Sequence, residues 1–411
     1  MLNQRAEVWV VLVSVAMMMV CSGGSAQGIS TVTIVDIGTL SGLGGVQAQA
    51  YGLNSLGDVV GSYVNASGVE HAFVWHDTNG NQKVDAGERH DLGTLGGANS
   101  VAYSINDSGQ VTGGSYKTGA SVDTAFVWND ANDNWVADAG EMASLGTLGG
   151  TVSRGYRIND AGEVVGLTSV ASGAIRAFRW VDSNGDWKYN AGETMNMGTL
   201  GGEQSRAFGI NSDGNVAGYA YDSSSLQQTI RWIDANSNKT VDDGEMVAIA
   251  APGTPAWGFD INDSGAMAGF FTTGGKRHAF YYDSDGMVDI HSLLSGAQAS
   301  KAYSISEEGL VCGTYYPAGG GVRGFIYDSL TGVVTDLNDL LLPDSGWVIQ
   351  SVRDIEGEMA VGYGTLDGER HAFIAYWTTE EEEEIPEPGT LMLVGTGVLG
   401  LAGVLRRRLL N

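Results

Sequence analysis

Cysteine is almost missing from this chain, with Cys21 and Cys312 the only two in 411 residues. Cys21 falls in an N-terminal apolar run, which leaves one thiol in the body of the chain and no possible intrachain disulfide. Stability must then come from core burial or bound ions. Cys312 occupies a strand position that other repeats fill with Thr112, Val165, Ala217 and Ala268, so it reads as a small buried hydrophobe. Proline is also scarce, at six residues. Lysine and arginine number 21 against 48 aspartates and glutamates, a formal net charge of −27. So acidic a chain is repelled by nucleic-acid phosphates and anionic headgroups, which excludes nucleic acid as a partner. Catalytic signatures are missing too. There is no G-x-S-x-G elbow and no Cys/His pair, and His71, His76, His90, His278, His291 and His371 show no H-x-x-x-H spacing. The sequence singles out no glycosidase-type carboxylate pair among its acids. The chain reads as a non-enzyme.

Glycine is plentiful, 62 residues without a G-x-y period, which means many turns. One stretch explains them: Leu145–Gly166 runs L-G-T-L-G-G, then I-N-D-A-G, then V-V-G. Its relatives recur at Leu53-Asn54, Ile105-Asn106, Ile158-Asn159, Ile210-Asn211, Ile261-Asn262, Ile305-Ser306 and Val352-Arg353, spaced 44 to 53 residues apart. Each unit holds four extended segments: one ending at I-N, one after a D-x-G turn, an A-F-x-W segment, and one before the glycines. Alternating apolar residues bounded by Gly, Asp and Asn favour strands throughout, and no stretch has a helical period. Four short strands repeated seven times predict an all-β, seven-bladed β-propeller of kelch-like unit length. A parallel β-helix, with its usually shorter coils, is the alternative. The ends favour the ring. Thr31–Leu40 is an orphan fourth strand, and the last unit stops after its third at Tyr376-Trp377, so the orphan would close the last blade and remove the free edges. The L-G-T-L-G-G run, with no following G-K-[ST], is a blade connector and not a phosphate loop.

The phrases His71-Ala72-Phe73, His278-Ala279-Phe280 and His371-Ala372-Phe373, with the I-N-D-x-G core, resemble the HAF repeats of bacterial extracellular proteins over roughly residues 30–377. Thr124, Arg176 and Gln228 depart from the pattern. That resemblance implies fold and location more than chemistry.

The two ends suggest export. Arg5 precedes the apolar run Val8–Cys21, and small residues follow to a cleavage site near Ala26, as in a secretory signal peptide over 1–26. The propeller is expected over 29–377 and an acidic linker over 378–385. Residues 386–411 hold Pro386, Glu387 and Pro388, an apolar glycine-rich run and the cluster Arg406, Arg407 and Arg408. The run is shorter than the roughly 20 residues of a full span, but the arginines can snorkel and set its orientation, tail inside and body outside. A single C-terminal membrane helix is expected. The order and spacing resemble the PEP-CTERM sorting signal of Gram-negative bacteria. The resemblance implies processing near Pro-Glu-Pro by an exosortase-type membrane enzyme, and residence at the outer envelope, cell surface or matrix in an exopolysaccharide or biofilm system.

Four acidic loops separate the third and fourth segments of the first four units. The first carries Asp77, Asn79, Asn81, Lys83, Asp85 and Glu88 at loop positions 1, 3, 5, 7, 9 and 12. The second carries Asp130, Asn132, Asn134, Val136, Asp138 and Glu141; the third Asp182, Asn184, Asp186, Lys188, Asn190 and Glu193; the fourth Asp234, Asn236, Asn238, Thr240, Asp242 and Glu245. Oxygen side chains at 1, 3, 5, 9 and 12, with a backbone carbonyl at 7, resemble a calcium-binding EF-hand loop. Position 6 departs from that pattern, holding Gln82, Trp135, Trp187 or Lys239 in place of glycine, and no helices flank the loops. Asx turns alone account for Asp and Asn, though not for a Glu kept at position 12. The expectation is up to four structural calcium sites. The fifth unit keeps only a stub, Asp283 to Asp289, read as a turn. Trp135 and Trp187 suit either stacking on sugar or packing on a neighbouring blade. Together these features predict a secreted, calcium-stabilised binding or structural propeller with exopolysaccharide or another surface protein as partner. An extracellular polysaccharide hydrolase or lyase is the alternative.

Overall fold

The computed structural model describes residues 29–379 apart from 237, 239–241, 243, 252 and 254. The expected signal peptide, sorting segment and membrane helix lie outside these residues, as do Thr240 and the expected acidic linker except for Thr378 and Thr379, which extend the last strand. Among the described residues no helix is long and apolar enough to cross a membrane.

Seven four-stranded antiparallel sheets form a propeller. The first blade consists of Gly45–Leu53, Val59–Asn65, Glu70–Trp75 and Arg89–Gly93, from the innermost strand outward. The seventh consists of Trp347–Glu356, Met359–Leu366 and Glu369–Thr379, and its outer strand is the N-terminal Ile29–Gly38. Val32 pairs with Trp377, Ile34 with Ala375 and Asp36 with Phe373, so the orphan strand closes the ring as the sequence predicts.

The core is divided among the blade interfaces. One cluster joins Val60, Val74 and Leu92 of the first blade to Ile105, Phe126 and Trp128 of the second. The next joins Val127 and Leu145 to Ile158, Phe178 and Trp180. Trp75, Trp128, Trp180 and Trp232, from the A-F-x-W segments and their counterpart Thr229-Ile230-Arg231-Trp232, are among the largest fully buried side chains. The Leu of each L-G-T-L-G-G connector is the plug between blades.

Polar residues of the repeat stitch the same interfaces. Ser100 Oγ accepts from the Ala72 N–H of the preceding blade at 2.9 Å and donates to the Gly93 carbonyl at 2.6 Å. Ser153 with Ala125, Ser205 with Ala177 and Ser300 with Ala279 repeat the first bond at the same length. Ser153→Ala leaves the buried Ala125 N–H without a partner and is expected to cost about 1–3 kcal/mol, read as a loss in urea-unfolding free energy.

The I-N pairs have a similar job. The Asn54, Asn106, Asn159, Asn211 and Asn262 Oδ1 atoms each accept from a backbone N–H in their own turn. Each Nδ2 donates to a backbone carbonyl of the following blade at 2.9–3.1 Å. Of the two isosteric side chains only Asn offers a donor beside its acceptor, which is why Asn and not Asp recurs here.

The register corrects one alignment. Ile355, opposite Ala360, holds the place that Ile105 holds opposite Val111, so the last unit aligns on Ile355-Glu356 and not on Val352-Arg353. Arg353 therefore matches Tyr103.

Candidate functional site

Every innermost strand carries a register shift near its end, at Ala50/Gly52, Ala102/Ser104, Gly155/Arg157, Ala207/Gly209, Gly258/Asp260, Ala302/Ser304 and Val352/Asp354. The residue inside each shift is the extra one of a β-bulge, which re-aims its side chain away from the ladder. These seven residues are Tyr51, Tyr103, Tyr156, Phe208, Phe259, Tyr303 and Arg353. They form a closed collar around the central channel. From Tyr51 to Tyr303 the successive ring centroids are 5.0–5.7 Å apart, tilted except for the edge-to-face pair Phe208 and Phe259. The Arg353 guanidinium completes the circle, 3.9 Å from the Tyr303 centroid and 5.3 Å from that of Tyr51. Lys301, Arg157 and Asp260 join the collar in lining a cavity of about 300 Å³.

The next layer along the strands closes the channel with charge. Arg157 reaches Asp354 at 2.8 Å and Asp260 at 3.3 Å. Ser304 Oγ bridges the same two carboxylates at 2.6 and 2.7 Å, and Asp354 also accepts from the Leu53 N–H at 3.1 Å. The far mouth, where the I-N turns lie, is acidic: Asp107, Asp160, Asp263, Glu307 and Glu356 line it. Burial, then the neighbouring Asp354, pushes Glu356 up to about 7. At the collar end, burial with Arg277 and Arg353 lowers Lys301 to about 8.

The acidic loops hang at the far end, after the third strands. Glu88 is buried, accepting from the Thr78 N–H and Oγ1 with one oxygen and from the Asp85 N–H with the other. Glu141, Glu193 and Glu245 make the equivalent bonds to the backbone at loop positions 2 and 9. Position 12 thus has a bracing job that needs no ion, which the sequence does not reveal. The first Asp caps position 6, with Asp77 accepting from Gln82, Asp130 from Trp135 and Asp182 from Trp187. Position 6 adopts the left-handed backbone that glycine supplies in the EF-hand pattern: φ is 55° at Gln82, 58° at Trp135 and 53° at Trp187. The Asn79 and Asn81 amides hold Asp85 below the usual carboxylate range, and Asn132 and Asn134 do the same for Asp138. In the third loop the bond from Asn190 lowers Asp186, and in the fourth Asn236 and Asn238 lower Asp242. Asn184 accepts from the Asp186 N–H, while the backbone N–H groups of Lys83, Val136 and Lys188 donate to position 5. In the first loop the side chains of Asn79, Asn81 and Asp85 thus meet through amide-to-carboxylate bonds, while Asp77 and Glu88 accept from the loop backbone. Among the described residues no three His, Cys, Asp or Glu side chains gather as a metal site.

Trp135 and Trp187 pack inward. Trp135 stacks on His76 of the first blade at 4.3 Å and sits over Gly109, and Trp187 covers Gly162. Asp283 pairs with Gly286 across a two-residue turn, and Gly286–Asp289 is the outer strand of the fifth blade. Cys312 is fully buried, and burial pushes its thiol well up.

The H-A-F histidines clasp the outer strand of their blades. His71 binds Asp91 at 2.8 Å, His278 binds Asp289 at 2.9 Å, and His371 binds Asp36 of the N-terminal strand at 2.8 Å. In the sixth blade Arg323 takes the place of the His and binds Asp336 at 2.8 Å, whereas Thr124 faces a strand with Ser144 and Arg176 one with Asn196. The bond from Asp91 raises His71 above its ordinary value. Asp91 is lowered, its bond from His71 and the Gly93 N–H outweighing its burial. The clasp contributes fully below the unfolded His pKa of about 6.5 and fades as pH rises through the raised folded value. Its lower limit is the lowered Asp91 pKa. Relative to His71→Gln, the wild-type stability advantage is expected to be larger at pH 5.5 than at pH 8.5 in paired urea unfolding curves.

Fold and site together define an all-β propeller with a bulge-built axial collar, carried by a chain with a sorting segment at its end. Residues 384–408 match the PEP-CTERM protein-sorting motif, which implies an exported, surface-sorted protein processed by exosortase. Residues 201–382, from the first strand of the fourth blade through the closing blade, match a family described as "Protein of unknown function (DUF3466)". No curated protein matches the chain. Among solved structures it is similar to a putative TolB from Agrobacterium tumefaciens, at 13% identity and a TM-score of 0.39 over 62% of this chain and 83% of that one. It is similar to a puromycin-hydrolyzing peptidase from Mycobacterium tuberculosis at 12% identity and a TM-score of 0.47 over 82% of this chain, and spans 53% of the peptidase. The BP39L lectin from Burkholderia pseudomallei matches at 10% identity and a TM-score of 0.41, over 86% of this chain and 98% of the lectin.

Proposed function

We propose that the protein is a binding and structural propeller of the Gram-negative outer envelope or matrix. In this reading a signal peptide exports it, its C-terminal segment sorts it, and it works among exopolysaccharide and surface proteins. The supporting observation is the collar: six half-buried aromatic rings and Arg353, all placed by bulges around one cavity. A ring of amphipathic aromatics around a concave site suits ligand binding. The full chain, applied to a glycan array and then incubated with the organism's own exopolysaccharide, is expected to bind without shortening the polymer. Shortening would favour the hydrolase or lyase reading, for which Glu356, raised to about 7 among other carboxylates, is the acid to test.

The loops fit calcium in this reading. Residues at positions 1, 3, 5, 9 and 12, with the carbonyl of position 7, would hold it, and bound calcium would lock long hairpins in a protein without disulfides. At calcium ~100-fold above its Kd, each site adds about 2.7 kcal/mol. Scanning calorimetry is expected to show a melting temperature that falls by several degrees in chelator; an unchanged one removes calcium from the reading.

A further inference from the structure

We propose that the axial collar is a site for a carboxylate-bearing sugar, a uronate residue, held by aromatic stacking and by the Arg353 and Lys301 cations. This rests on the reading of the protein as a binding propeller and names the ligand class of that same site.

Charge bookkeeping around the channel carries the argument. The cation that closes the channel, Arg157, is matched by Asp260 and Asp354, and Arg154 by Asp123. Among the described residues no carboxylate pairs with Arg353 or Lys301. Their close neighbours are rings: Tyr303 and Tyr51 for Arg353, and Phe270 for Lys301 at 5.4 Å. In a chain of net charge −27, two half-buried cations thus face one cavity with rings as their neighbours. Lys301 feels that isolation, being lowered to about 8 by burial and by the charges of Arg277 and Arg353. An entering anion would remove the repulsion and meet an arginine fork suited to a planar carboxylate.

The rest of the cavity selects the body that carries the carboxylate. Tyr51, Tyr103, Tyr156 and Tyr303 offer both a ring face and a phenol, matching the apolar face and the hydroxyl edge of a sugar. A volume of about 300 Å³ lies at the small end of ligand pockets, enough for one residue or a chain end and too little for a folded peptide segment. The Arg157 cluster blocks passage beyond it, so the ligand enters and leaves by the collar mouth.

The test is calorimetric titration of the full chain in detergent with methyl glucuronoside, methyl glucoside and an acetylated, amidated tri-glutamate peptide. The glucuronoside is expected to bind at least about tenfold more tightly than the neutral glycoside. Arg353→Gln and Lys301→Gln should each narrow that gap. The wild-type comparison stands even if a variant misfolds. Equal affinity for the two glycosides, or tighter binding of the peptide, overturns the uronate assignment while leaving a binding propeller. Failure to bind the glucuronoside overturns it as well, and a blank glycan array in addition takes the binding reading down with it.

Discussion

Deletion of residues 29–38 is expected to abolish the closed propeller. This strand runs antiparallel to Glu369–Thr379 along most of its length. Ile37 is fully buried in the core shared with the first blade, and Val32 and Ile34 pack against the core of the sixth and seventh. Arg89 donates to the Ile37 carbonyl, and Asp36 holds His371. Losing Ile37 removes about 1.5–3 kcal/mol, and the half-buried Val32, Ile34 and Val35 each add part of that. That sum approaches the roughly 5–15 kcal/mol of a whole domain. The exposed edge would carry Phe373, Ile374 and Trp377, an apolar strand open to pairing with other chains. Size-exclusion chromatography should show aggregates where the intact chain elutes as a discrete species. A deletion variant that elutes like the intact chain and melts within a few degrees of it would mean that the closure does not hold the ring.

Asp354→Ala is the most damaging point substitution expected. One carboxylate serves Arg157 of the third blade, Ser304 of the sixth and the Leu53 N–H of the first, so it ties three blades at the axis. Removing one partner of a buried pair leaves the other charge uncompensated, at about 3–5 kcal/mol. Asp260 softens the loss for Arg157, but from the fifth blade it makes no bond to the Leu53 N–H, which Asp354 alone serves. Chemical unfolding reads the effect directly. A double change with Arg157→Met should cost less than the single change, since it removes the stranded cation; equal costs would show that the cluster acts through packing alone.

Much of the architecture was legible because propeller blades are local. Each blade's strands follow one another along the chain, so periodic I-N pairs, A-F-x-W segments and glycine connectors report the ring in order. Even the closure could be read, since an orphan strand at one end matched a missing strand at the other. The last unit was the exception. Its turn reads Ile355-Glu356-Gly357, without the I-N-D signature, and Val352-Arg353 offered a nearer apolar pair three residues too early.

The site was less legible. The collar aromatics stand two residues before the I-N pairs in six units, but within an alternating strand they read as ordinary core. Only the bulge turns them to the channel, and a bulge is a relation between two strands that no single-strand pattern reports. The His–Asp clasps left a trace in the sequence, since each H-A-F histidine has an Asp on the outer strand of its blade. The Glu of each loop was noticed for its spacing, but its bonds to the backbone emerged only once the loop was closed.

The sequence by itself determined the repeat, the blade number, the closure and the acidic, disulfide-free character, all consequences of local periodicity and composition. Tertiary structure decided which residues meet at the axis. Around a closed ring, residues some fifty apart become neighbours and residues from the third and seventh blades face each other across the channel, as Arg157 and Asp354 do. Such distances lie outside any sequence window. The axial collar of this protein is therefore a property of ring closure.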